Sequence, residues 1–169
     1  AVVQARGTVH VSGSEAAGTD ALSPAMLACA RGLHGLLDSD PGAQASARRF
    51  LEEAAAGDSA LEEAVEALVD LDLSAAPEAA IARLDRALEV DRGYPMYWKL
   101  RGRARWESAC LRFWRGEDAL EVLAGSAADF ARVLELQPGD AESRDYLVQS
   151  RAARPLWIQE RGGDPAEAY

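Results

Sequence analysis

Between Tyr94 and Arg115 the chain reads YPMYWKLRGRARWESACLRFWR, and this stretch limits the possible folds more than any other. It holds three of the four tryptophans and six of the eighteen basic residues, against one acid, Glu107. Its apolar positions recur at helical spacing, and its one proline, Pro95, stands where a helix start tolerates it. The reading is one helix of about 20 residues. On it Arg101, Arg105, Arg112 and Arg115 fall in one narrow arc with Ser108 among them, at about 100° per residue. Trp98, Ala104, Trp106, Ala109, Cys110, Leu111, Phe113 and Trp114 cover most of the rest. A helix apolar over so wide a face needs neighbours on two or three sides.

The rest of the chain can supply them. At 169 residues the length suits one domain, and roughly 70% of the unfolded surface can be buried at that size. Alanine, leucine, glutamate and arginine dominate, and β-branched residues seldom run together, which favours helix throughout. Serine before proline at Ser23-Pro24 caps a first helix reaching Leu37. Breaks at 38–42, 57–59, 74–76, 91–94, 116–118 and 137–140 divide the remainder into helices over 43–56, 60–71, 77–91, the central stretch, 118–136 and 141–153. Pro155 is expected to end the last, with Leu156, Trp157 and Ile158 folding back onto it. The division is thus an extended arm at 1–22, a helical domain at 23–158 and a loose tail at 159–169.

Charge narrows the partners. The net charge is −10, so phosphates are repelled on average and nucleic acid is not expected as a ligand. Residues 1–94 hold 7 basic and 16 acidic side chains, residues 95–115 hold 6 and 1, and residues 116–169 hold 5 and 11. One basic helix lies between two acidic segments. Its stripe either compensates those acids inside the fold or docks an acidic partner.

Signals for chemistry are sparse. His10 and His34 have no carboxylate or cysteine at ligand spacing, and no glycine-rich phosphate loop or serine elbow occurs. Pairs such as Glu52-Glu53 and Glu62-Glu63 are adjacent, so they do not share a helix face. Cys29 and Cys110 lack metal-ligand spacing and read as buried thiols. No catalytic, cofactor or metal residue is expected. No apolar run approaches the ~20 residues that span a bilayer. With no signal peptide visible, the expectation is a soluble chain, cytoplasmic or organellar after presequence removal.

Two helices close alike, AAIARLDRALEVDRGYP from Ala79 and AADFARVLELQPGDAE from Ala127. This resembles the second helix and exit turn of a tetratricopeptide repeat. Ala80, Leu84 and Ala87 match the family's small–large–small pattern in the first copy, with Arg92 where proline is usual. Ser126, Phe130, Val133 and Pro138 fill those places in the second. In the same register Trp98 and Gly102 fall at the family's first-helix tryptophan and glycine. The two turns are 46 residues apart against about 34 in the family, so the hairpin between them is lengthened. Arg101 and Arg105 stand where the family buries apolar residues.

The resemblance implies an all-α array of antiparallel helix pairs, about seven helices in all. It also implies a non-catalytic scaffold or adaptor for other proteins, with the role of a structural accessory subunit as a variant. Met96, Lys99, Arg103 and Trp106 would line its groove. With Arg112, Trp114 and Arg115 they form the expected partner-binding set, suited to a protein bearing acidic and apolar groups. Of the family's carboxylate clamp only Lys99 is matched: Arg103 replaces asparagine, and the last helix offers Asp145 and Gln149. The alternative from another class is an enzymatic or small-ligand-binding domain using the same groove.

Overall fold

A computed structural model describes residues 23–56, 62–73 and 75–168. The expected arm at 1–22 and the break expected at 57–59 lie outside them. The described residues form seven α-helices and a 3₁₀ turn, with no strand among them. The helices are α1 (Pro24–Gly35), α2 (Pro41–Ala56), α3 (Glu62–Asp72), α4 (Pro77–Val90), α5 (Pro95–Trp114), α6 (Leu120–Leu136) and α7 (Ala141–Glu160). The all-helical array read from the sequence is the fold observed.

Local chemistry explains most boundaries. Ser23 Oγ accepts from the Met26 amide at 3.2 Å, with Pro24 at the first helical position. Asp40 Oδ2 accepts from Ala43 N at 2.8 Å. That bond starts α2 at Pro41, two residues before the expected Ala43, because proline has no amide to leave unpaired there. Asp140 Oδ1 accepts from Ser143 N at 2.7 Å and caps α7.

Pro155 does not end α7. The helix runs through it to Glu160. An interior proline costs about 3 kcal/mol, and packing beyond it offsets that cost. Trp157 stacks on Phe113 of α5 with centroids 4.6 Å apart, and Ile158 is buried. Trp157 and Ile158 therefore reach the body by extending the helix rather than by folding back, while Leu156 faces solvent. The chain then reverses, with Gly163 N donating to Ile158 O at 3.0 Å and Gly162 N to Gln159 O at 2.9 Å. The stretch expected to be loose contains a 3₁₀ turn, Pro165–Ala168, set against α7.

Each helix packs on the next in sequence. Alternate helices also touch: α1 meets α3, and α5 meets α7. α3 and α5 share one core cluster with α4, Val65 and Val69 with Leu84, Tyr97 and Leu100, and Tyr94, just before α5, donates from Oη to Glu66 Oε1 of α3 at 3.0 Å. One core cluster unites α1, α2 and α3 around Cys29, Leu51 and Leu68. Another unites α5, α6 and α7 around Ala109, Leu123 and Trp157. Two glycines allow close approaches of a large side chain from the next helix. A Cβ on Gly102 would lie 3.0 Å from the Phe130 ring, and one on Gly32 would lie 2.5 Å from Leu51. In both cases a large residue of the following helix nests against a glycine of the preceding one. The α1–α2 pair shares this packing although its sequence carries no repeat motif.

Candidate functional site

The helix with the most unusual composition, α5, lies between α4, α6 and α7 and presents two different faces. On one face Arg101, Arg105, Ser108 and Arg112 follow at intervals of four, three and four residues, so they stack along one side. On the other, Met96, Arg103 and Trp114 recur close to whole turns.

The basic face is largely matched from within the chain. Asp129 of α6 is 2% exposed. Arg101 grips it with two bonds, Nε at 3.0 Å and Nη2 at 2.7 Å, and Arg105 adds a third from Nη1 at 2.9 Å. Arg101 Nη1 also donates to Asp85 of α4 at 2.6 Å, and its guanidinium lies 4.7 Å from the Trp98 ring centre. Burial pushes the Asp129 carboxyl above its ordinary value, and the two arginines pull it part of the way back. For Arg101 and Arg105 the structure thus selects internal compensation, and it accounts for charge at positions where apolar residues were expected. Ser108 Oγ donates to Glu78 of α4 at 3.0 Å, and Arg112 stands 3.8 Å from the same carboxylate.

Above this floor a groove of about 510 Å³ opens between α4 and α6. Glu78, Ile81, Ala82 and Asp85 form one wall, Glu121, Val122 and Gly125 the other.

The seven residues expected to bind a partner do not form one surface. Lys99 Nζ donates to Asp140 Oδ2 at 2.9 Å and meets Glu142 Oε2 at 2.8 Å, tying α5 to the first turn of α7. Burial alone would lower its pKa, but the two carboxylates outweigh burial and hold its ammonium above the ordinary value. Trp106 is half-buried, edge-on to Tyr146 and tilted against Trp157, so it packs between α5 and α7. Arg112 lies on the α4 side. The remaining four face outward in different degrees. Trp114 is 82% exposed and Met96 38%, while Arg103 is half-buried and Arg115 exposed.

Trp98 is half-buried against the α3–α4–α5 cluster and donates from Nε1 to Arg92 O at 2.9 Å. Cys29 is buried as expected, whereas Cys110 is only half-buried; both are unbridged, and burial raises both thiol pKa values. His34 is exposed. Among the described residues no group of three or more His, Cys, Asp or Glu is placed to hold a metal, and no helix is long and apolar enough to cross a membrane.

Sequence reasoning missed the two buried aspartates, although both leave a signal. Asp129 lies on the same side of α6 as Ser126, Phe130 and Val133, and Asp72 continues the Val65, Leu68, Val69 series of α3. A carboxylate at a core register calls for buried cations, and Arg101 and Arg105 were the visible counterparts. No family model matches this chain, and neither curated proteins nor solved structures give a match.

Proposed function

We propose that this chain is a non-catalytic protein-interaction scaffold of tetratricopeptide-like build, either a free adaptor or a fixed accessory subunit of a larger assembly. The observation that carries the reading is Trp114. It projects from the end of α5 at 82% exposure while its neighbour Phe113 stacks inward on Trp157. Tryptophan and arginine are both enriched at interaction hot spots. Arg115 supplies the arginine, and Met96 and Arg103 continue the strip along α5. Partner groups suited to the strip are apolar side chains flanked by carboxylates.

The build supports the reading in two ways. α1 lies against α3 and α5 against α7, as the first helices of neighbouring stacked pairs do. The Gly102–Phe130 and Ser126–Gly102 contacts join α5 to α6 at the positions of the motif, with Ser126 Oγ donating to Gly102 O at 2.8 Å.

The test compares the untagged chain with a Trp114→Ala/Arg115→Glu variant in a gentle native extract, by native gel and mass spectrometry. The wild-type chain should migrate with a defined set of proteins and the variant should lose it. An identical set for both would mean that the strip docks no partner, and migration of the wild-type chain at its own 18.1 kDa would exclude the fixed accessory subunit and leave the free adaptor.

A further inference from the structure

We propose that the groove between α4 and α6 receives a lysine or arginine side chain presented by a protein partner. The groove lies on the face of α5 opposite Met96, Arg103 and Trp114, so either surface can fail its test without the other.

Four carboxylates around the groove, Glu78, Asp85, Glu121 and Asp129, meet three guanidiniums, Arg101, Arg105 and Arg112. Their pairing is uneven. Asp129 and Asp85 take up Arg101 and Arg105 through bonds of 2.6–3.0 Å at the floor. Arg112 alone is left for Glu78, at 3.8 Å, and Glu121 has no ion-pair partner among the described residues. The deficit of positive charge therefore lies at the mouth, shared between the two walls. Glu78 and Glu121 both occupy the first turn of their helices. Helix dipoles favour carboxylates at that position, so the groove keeps Glu121 without an internal cation and Glu78 with only Arg112 at 3.8 Å.

Shape agrees with charge. Ala82 and Gly125 are small, and the space they leave runs between Ile81 and Val122, both half-buried. An aliphatic stem fits against those two while its cationic head stays among the carboxylates, the arrangement that long basic side chains adopt. An anionic group entering the same space would meet Glu121, which has no ion-pair partner among the described residues, and one guanidinium already shared with Glu78. The groove thus selects for cations although the face of α5 beneath it is basic.

The probe is N-acetyl-arginine methylamide, titrated into the full ¹⁵N-labelled chain, with N-acetyl-citrulline methylamide as its uncharged isostere. Saturable amide shifts should centre on Ser108, Val122 and Gly125 for the arginine compound. The citrulline compound should bind about five- to tenfold more weakly, the expected loss for two half-exposed ion pairs. Glu121→Gln, which removes no bond seen within the chain, should weaken arginine binding about threefold, and Glu78→Gln/Glu121→Gln should abolish the preference over citrulline. Equal responses to the two compounds would overturn the proposal. So would arginine shifts spread over the acidic surface of α3 and unchanged in the double variant, since they would report only the attraction of a chain of net charge −10.

Discussion

Asp129 and Asp72 are both buried carboxylates facing two arginines, yet they join their helices in different ways. Asp129 closes a ring: both oxygens accept from Arg101, one also accepts from Arg105, and Arg101 reaches on to Asp85. The donors are themselves shielded, with side-chain exposures of 12% for Arg101 and 24% for Arg105. Asp72 is left open. Its Oδ1 bonds to Arg48, whose side chain is 39% exposed. Its Oδ2 stands 3.5 Å from Arg83 without a hydrogen bond, and Arg83 Nε is also unpartnered. A buried pair offsets its desolvation only when the geometry satisfies both ions. The α5–α6 joint meets that condition and the α2–α3–α4 joint does not. Rigidity should therefore be concentrated in the half of the array that carries the groove and the Trp114 strip.

The largest expected effect tests the closed ring. Asp129→Asn leaves two shielded guanidiniums facing a neutral amide and should cost about 3 kcal/mol in urea unfolding. Asp72→Asn should cost about 1–2 kcal/mol, because Arg48 can turn toward water and Arg83 has no hydrogen bond to this carboxylate to lose. Equal losses at the two sites would break the comparison.

The seam between the two halves gives a pH test. Tyr97 is 3% exposed, and burial, reinforced by Glu62, Glu66 and Asp91, pushes its phenol up to about 12. An unfolded tyrosine titrates near 10. Between those values the folded state holds a proton that the unfolded state has lost, so stability is full below pH ~10 and falls as pH rises toward 12. Tyr94, raised mainly by burial and by its bond to Glu66, extends the loss further. Thermal melts across this window should show the decline, and Tyr97→Phe should reduce its slope. An unchanged slope would mean that Tyr97 does not hold its proton through the window.

The smallest effect belongs to the exposed strip. Trp114→Ala should shift stability by no more than about 0.5 kcal/mol, since the side chain is 82% exposed. A larger loss in the same urea series would show that the indole supports Phe113, 5.8 Å away, and would move Trp114 from the surface to the core.

Much of this architecture is legible residue by residue because it rests on interactions within one turn of chain. Ser23 caps α1 through an amide three residues on, Asp140 caps α7 the same way, and Pro24, Pro77 and Pro95 each open a helix. The apolar period of α5 follows from its own sequence, as does the oddity of arginine at positions 101 and 105. The candidate site was less legible. Lys99, Trp106 and Arg112 share a helix with Trp114, and periodicity alone cannot tell which of four flanks faces a neighbour. Pro155 misled for a related reason: its local preference is to stop a helix, and only the stacking of Trp157 on Phe113 shows why the helix continues.

What the sequence determined by itself is the set of helices, the breaks between them and the concentration of basic charge on α5, though not the end of α7. Tertiary structure alone decided which charges meet. Lys99 finds Asp140 and Arg101 finds Asp129 across 41 and 28 residues of chain, and those meetings depend on how three helices are rotated against one another. Capping and helix propensity act within about a turn. The pairing of buried charges is set by packing, where the close approach of Gly102 to Phe130 fixes how α5 and α6 lie together.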